Sequence, residues 1–149
     1  IRNVPPGSYL LTAAGLRGAG LEAQVALEVG DHDIENVTLD MRAGSKVEGR
    51  LIWPDQPGNE ERNRAVQIGA RYPPPSDHSR FSGVDPDGKC RLSGLLPGPY
   101  RVVVANLPPG MYARSAKVGK QDIFEEGLRP GGDGILEVAI SADAAELRG

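Results

Sequence analysis

A few short stretches of this sequence carry residue types able to do chemistry, and their spacing limits what that chemistry could be. Asp85-Pro86-Asp87-Gly88 begins like a calcium loop, with alternating carboxylates before a glycine. Such a loop needs further oxygens and a carboxylate at its twelfth position, where this chain has Leu96, so the stretch reads as a tight turn with two solvated carboxylates. Asp77-His78-Ser79 contains the residue types of a hydrolytic triad. Consecutive residues of an extended chain point to alternating sides and cannot converge, so a polar loop is the better reading. Gly15-Leu16-Arg17-Gly18-Ala19-Gly20 has the wrong glycine spacing for a phosphate loop, and a strand rather than a helix follows it, which leaves a flexible loop. His32 is too far along the chain from His78 to build a local zinc site. One constellation suits a ligand. Trp53, next to Asp55, Gln56 and Asn59 and with Tyr72 and Phe81 as further aromatics, offers the ring faces, amides and carboxylates on which a sugar docks. Against this, Trp53 and Tyr72 both fall on the apolar phase of their strands and only 5% of residues are aromatic, which favours core closure for Trp53. Trp53, Asp55, Gln56, Asn59 and Tyr72 are the candidate sugar-binding residues; no catalytic, cofactor or metal site is expected.

The elements that would position these residues show as period-two alternation. Ala23, Val25, Leu27 and Val29 alternate with Glu22, Gln24 and Glu28, and Val37, Leu39 and Met41 with Thr38, Asp40 and Arg42. Val47, Gly49, Leu51 and Trp53 share one face with Glu48 and Arg50 opposite, and Val66, Ile68, Ala70 and Tyr72 do the same against Gln67, Gly69 and Arg71. Cys90 with Leu92, Tyr100 with Val102 and Val104, and Leu136 with Val138 and Ile140 mark three further strands, and Tyr112 to Val118 a less regular one. Leu51, Val66, Ile68, Leu92, Val102, Val104 and Val138 are the expected core. Cys90, in phase with Leu92, should be a buried thiol. Gly88 sits where a hairpin between Val84 and Cys90 needs a positive φ, and Pro97-Gly98-Pro99 forces a reversal before Tyr100. Tyr9 and Tyr100, each following a Pro-Gly corner, are expected to turn the ring inward and bond the hydroxyl to nearby backbone. Loops are expected at Trp53–Arg64 and Tyr72–Ser79.

Bulk composition agrees. Gly 20 and Pro 13 in 149 residues disfavour long helices, while 39% hydrophobic residues still allow a core, so the class is all-β. A net charge of −3, with Arg62, Arg64, Arg71, Arg80 and Arg91 interrupted by acidic residues, gives no electrostatic basis for nucleic-acid binding. No stretch has the apolar length to span a bilayer as a helix. The single Cys90 can make no internal disulfide, and Ile1 follows neither an initiator Met nor a signal peptide, so the chain reads as part of something longer.

The chain also repeats itself. Val4-Pro5-Pro6-Gly7-Ser8-Tyr9-Leu10-Leu11 parallels Leu96-Pro97-Gly98-Pro99-Tyr100-Arg101-Val102, and Gly30-Asp31-His32-Asp33-Ile34 parallels Gly119-Lys120-Gln121-Asp122-Ile123. Val37-Thr38-Leu39 then parallels Val138-Ala139-Ile140, and Val47-Glu48-Gly49 parallels Leu147-Arg148-Gly149. Matches in the same order, at a separation of about one hundred residues, mark a repeat out of phase with the chain. Residues 1–45 are therefore expected to be the trailing strands of an upstream module, 46–142 a complete module, and 143–149 the start of the next. The apolar stripes of residues 23–41 need a partner surface, either on a neighbouring chain or on the complete module.

The stretch Val84-Asp85-Pro86-Asp87-Gly88-Lys89-Cys90-Arg91-Leu92-Ser93-Gly94-Leu95-Leu96-Pro97-Gly98-Pro99-Tyr100 resembles the signature of the carboxypeptidase-regulatory-like domains, and Val47-Glu48-Gly49-Arg50-Leu51 is similar to that family's first strand. The resemblance implies a transthyretin-like or carbohydrate-binding-like β-sandwich of seven antiparallel strands, a kind often found in tandem in long bacterial envelope and exported proteins. Cys90 stands where the family usually has an aromatic, which implies a looser core there. The hydrolase relatives of this fold would require a C-terminal Tyr-Arg-Gly-Ser, whereas this chain ends Leu147-Arg148-Gly149; relatives that crosslink a first-strand Lys to a last-strand Asn have Lys46 matched here but no Asn in Ile135 to Ala142. The resulting expectation is a non-enzymatic structural or interaction module, a spacer in a larger exported or envelope-associated bacterial protein. Its partners would be neighbouring modules of the same polypeptide, with carbohydrate or another protein as alternatives, and it would need no cofactor.

Overall fold

In a computed structural model that describes residues 2–14, 21–54, 60–74, 76 and 78–142, the alternation read from the sequence becomes three sheets. The protein is an all-β fold, largely antiparallel. The first strand of the central unit, β4 (Ser45–Ile52), buries Val47, Gly49 and Leu51 and exposes Lys46, Glu48 and Arg50. It pairs antiparallel with β7 (Lys89–Leu95), setting Val47 opposite Leu92 and Gly49 opposite Cys90. On its other edge lies β11 (Leu136–Ser141), followed by β9 (Tyr112–Val118) and the two-residue β10 (Gln121–Asp122), in the order β10-β9-β11-β4-β7. A second sheet places β5 (Gln67–Arg71) between β6 (Ser79–Gly83) and β8 (Arg101–Ala105).

These two sheets face one another across a single core that includes Leu51, Val66, Ile68, Leu92, Tyr100, Val102 and Val138. Every expected core residue is buried except Val104, which is half-buried and packs against the cluster from its edge. Seven strands of five residues or more build the two sheets. The Asp85–Gly88 turn forms as expected, with Gly88 at φ 81 and the Asp85 amide donating to the Lys89 carbonyl at 2.7 Å, but it connects strands of different sheets rather than a hairpin within one.

Other expectations are corrected. The sandwich is not wholly antiparallel: β11 runs parallel to β4, with Leu136 opposite Gly49 and Val138 opposite Leu51. Parallel neighbours need a long crossover, and the rest of the unit supplies it. Arg50 and Glu137, opposite each other on the outer face, add an ion pair across that seam. The region expected to be loop at Trp53–Arg64 contains a helix, α1 (Glu60–Ala65), with acidic residues in its first turn and basic residues in its last, as the helix dipole favours. A helix this short shows no period in sequence. A second short helix, α2 (Ile123–Glu126), is capped by the Asp122 carboxylate and buries Ile123.

The core is not loose at Cys90. A Cβ placed on Gly49 would lie 2.7 Å from the Cys90 Sγ, so the thiol occupies the space that the missing side chain leaves. Gly69 is covered in a comparable way on the outer face by Phe81, its cross-strand partner, on whose ring the Arg71 guanidinium lies at 5.7 Å.

Ahead of this unit is a separate three-stranded sheet. β1 (Gly7–Ala14) pairs antiparallel with β2 (Leu21–Val29), and the two-residue β3 (Arg42–Ala43) pairs with the start of β2. Tyr9 faces Leu27, Leu11 faces Val25 and Ala13 faces Ala23, which makes one face apolar; Ser8, Thr12, Glu22, Gln24 and Glu28 are on the other. The strand expected over Val37–Met41 does not form, and Val37 and Met41 are exposed. The expected loop at Gly15–Gly20 and the start of a repeat at 143–149 lie outside the described residues.

Val102→Ala should lower unfolding stability by about 1–3 kcal/mol through lost burial and an unfilled cavity. Gly49→Ala should cost a comparable amount by overpacking against Cys90, about 1–3 kcal/mol, and Cys90→Ala should relieve it. Urea denaturation of Gly49→Ala, Cys90→Ala and the double variant checks this, with independent, additive effects as the contrary result.

Candidate functional site

The candidate sugar-binding residues are built from two places in the fold. Trp53 follows β4 and is buried, its indole N–H donating to Asn63 Oδ1 at 2.8 Å. Asn63, on the inner side of α1, donates its own amide to the Pro86 carbonyl at 2.7 Å, so one buried amide ties the end of β4 to the Asp85–Gly88 turn. The Arg62 guanidinium lies 5.7 Å from the centre of the indole ring. The Trp53 ring is thus a lid on the core at this end of the sandwich, held by a hydrogen bond that its burial makes necessary.

Tyr72 is elsewhere. It follows the last residue of β5, whereas Val66, which precedes β5, bonds to the Asn63 carbonyl beside Trp53. A five-residue strand spans roughly 17 Å, so Trp53 and Tyr72 close opposite ends of the sandwich and do not form one binding face. The Tyr72 ring meets Tyr100 edge to face at 5.1 Å between centroids and lies over Gly98, where any Cβ would strike its hydroxyl. Phe81 is exposed on the outer face over Gly69. Asp55, Gln56 and Asn59 lie outside the described residues.

The Pro-Gly corner places Tyr100 as expected. The ring is buried, and its hydroxyl accepts from the Leu96 amide at 2.8 Å. Burial pushes this phenol above its ordinary value, and the Leu96 amide opposes that shift. Tyr9 also bonds the backbone four residues earlier but in the opposite sense, donating its hydroxyl to the Pro5 carbonyl at 2.9 Å, and its ring is exposed rather than turned inward.

Among the described residues, a concentration of charge at low exposure lies where the sequence singled out no site. Glu22 of β2 is buried against the central unit, paired with Arg80 of β6 and 3.4 Å from His78 Nδ1. His78 Nε2 lies 3.3 Å from the Gly94 carbonyl, and the ring sits 6.0 Å from Tyr100. A cleft of about 250 Å³ opens here, between Thr12, Ala13 and Ala23 on one side and Ser79, Arg80 and Leu96 on the other. In sequence Glu22 was one of several acids on the polar phase of a strand, and only tertiary packing distinguishes it. Asp77, the remaining member of the triad-like tripeptide, lies outside the described residues. Asp87 pairs with Lys89 at 3.3 Å, as a solvated turn carboxylate does.

Cys90 is buried, and desolvation, with smaller contributions from Glu48 and Asp85, pushes its thiol up from 9.0 to about 11. Thiol reagents should therefore label the native protein far more slowly than the urea-unfolded chain at neutral pH. Between 9.0 and about 11 the unfolded chain has released a proton that the folded protein keeps, so Cys90 makes stability fall as pH rises through that window. Comparing the urea midpoint from pH 8 to 11 in the wild type and in Cys90→Ala checks the sign. Asn63→Ala should cost about 1–3 kcal/mol by leaving the indole N–H and the Pro86 carbonyl without their partners.

The chain matches no family model, no curated protein and no solved structure.

Proposed function

We propose that this chain is a non-catalytic structural and interaction module that holds successive β units of a longer polypeptide in fixed relation. The observation that supports this most directly is the junction at Glu22. A carboxylate of the leading sheet is buried against Arg80 and His78 of the following unit, and a buried polar group is thereby used to join the two. Buried charges are retained where they are paired, and truncating one partner leaves the other uncompensated, so such a contact favours one docking geometry over others. The same joint is tightened at the backbone, where a Cβ on Gly44 would lie 2.5 Å from the Gly94 backbone.

The other side chains suited to ligand chemistry also serve packing. Trp53 bonds Asn63, Tyr72 packs on Tyr100, and Tyr100 bonds the Leu96 backbone. The resemblance to carboxypeptidase-regulatory-like domains supports an exported or envelope-associated bacterial setting, with neighbouring modules of the same polypeptide as partners.

Affinity electrophoresis through gels cast with a panel of polysaccharides tests the reading: mobility should be unchanged in every gel. Retardation abolished by Trp53→Ala would replace it with a carbohydrate-binding function at that end of the sandwich. Glu22→Gln should release the leading sheet, seen as faster rotational relaxation of residues 7–29 than of residues 45–141 in backbone ¹⁵N measurements, whereas the wild type tumbles as one body.

A further inference from the structure

The outer face of the β6-β5-β8 sheet carries positive charge that nothing beside it neutralises. Arg71 of β5 and Arg101 of β8 stand directly opposite each other in the register, and both are exposed. Like charges so placed repel. Neither side chain makes an ion pair among the described residues; the Arg71 guanidinium meets only the Phe81 ring, at 5.7 Å. No residue of β5, β6 or β8 is Asp or Glu. The outer face of the other sheet differs: there Arg50 pairs with Glu137 and Arg91 with Glu48. The row next to the two arginines is apolar. Phe81 lies over Gly69, Val103 is the partner of Gly69 on its other side, and Phe81 is 44% exposed.

A surface of the opposite kind lies elsewhere on the chain. Asp31 to Thr38 is exposed at every residue and belongs to no strand or helix. It carries Asp31, Asp33 and Glu35 around Ile34, with Val37 following, and these two apolar residues are 45% and 38% exposed. Asp31 lies 3.1 Å from His32, whereas Asp33 and Glu35 make no ion pair among the described residues. One surface thus has cations without acids beside an exposed ring, and the other has acids without cations beside exposed aliphatic side chains. Because Phe81 and Ile34 are both exposed, the two surfaces do not cover each other within one molecule.

We infer that the face formed by Phe81, Arg71 and Arg101 docks the acidic segment 31–37 of a second copy of this chain. In the contact, Asp33 and Glu35 lie against the two guanidiniums, and Ile34 and Val37 against the row of Phe81 and Val103. Complementary charge fixes the orientation of such a contact and speeds encounter. The carboxylates also offset the repulsion between Arg71 and Arg101, so docking removes a cost that the free sheet carries. A polymer of acidic sugars would answer the arginines, but the chain's own segment answers both the arginines and the apolar row. The two surfaces differ, so the contact is heterologous: it repeats head to tail, or closes a dimer when made twice. One segment against a few side chains is smaller than a standard stable interface, so the association is weak and depends on concentration. This goes beyond the joint at Glu22, which acts within one chain, and does not rest on it.

Sedimentation equilibrium of the full chain at low ionic strength reads the contact. The mean mass should rise with protein concentration, and added salt should reduce that rise, because exposed charge pairs are screened. Arg71→Glu combined with Arg101→Glu should keep the chain monomeric, as should Asp33→Arg combined with Glu35→Arg. Mixed together, these two variants should associate again, the reversed face of one taking the reversed segment of the other, and the complex should stop at one copy of each. Phe81→Ala should raise the wild-type dissociation constant about tenfold. A wild type that stays monomeric overturns the inference, as does a mixture of the two variants that does not associate. Association that strengthens with salt, or that survives either double reversal, belongs to another surface and overturns it too. Retention of the wild type by an anionic polysaccharide or a single-stranded nucleic acid, lost in the Arg71→Glu, Arg101→Glu variant and without self-association, assigns the face to that polymer instead.

Discussion

The seam between β11 and β4 is the constraint on which the rest of the sandwich depends. The last strand of the unit lies beside the first, parallel to it, and on its other edge receives β9. Neither edge of β11 is free, and Leu136, Val138 and Ile140 are all buried. Because the seam joins the ends of the unit, the intervening chain must already have turned between the two sheets before it can close. That makes it a non-local contact, costly in loop entropy and rewarded only when both halves are present.

Closure also determines where polar groups can be buried. Trp53 completes the core at one end only because Asn63 meets its indole N–H and Pro86 meets the Asn63 amide. At the other end the Tyr100 hydroxyl is bonded to the Leu96 amide. Each end is thus sealed by an aromatic ring whose polar atom is satisfied internally, which is the condition for burying Trp or Tyr without a desolvation penalty. The third buried polar arrangement, Glu22 with Arg80 and His78, lies at the joint between sheets and links the leading sheet to the central unit.

Glycine and its cross-strand partners account for the less regular features of the packing. Gly49 accommodates Cys90, Gly69 lies beneath Phe81, and Gly98 lies beneath Tyr72. In each case a missing side chain admits a larger neighbour from an adjacent element, so the glycines record contacts made across the fold. This is why Cys90 leaves no slack: its opposite residue is small enough that a thiol fills the interval.

The all-β class, most of the core positions and the Pro97-Gly98 corner were legible in the sequence, because they rest on local rules. Period-two alternation assigns faces to a strand regardless of its partner, and Gly88 or Gly98 marks a turn through its own backbone freedom. The burial of Ile68, Leu92 and Val138 and the Tyr100 hydroxyl bond followed from those rules alone. What only the tertiary structure decided was pairing. Nothing local indicates that β11 runs parallel to β4, that β6 and β7 belong to different sheets across one tight turn, or that Asn63 in a short helix meets Trp53. Nor does alternation distinguish Glu22 from the other acids along its strand. The alternating stripe at Val37–Met41 has the pattern of a strand and does not become one, because a strand also needs an edge to bond to, and alternation says nothing about edges.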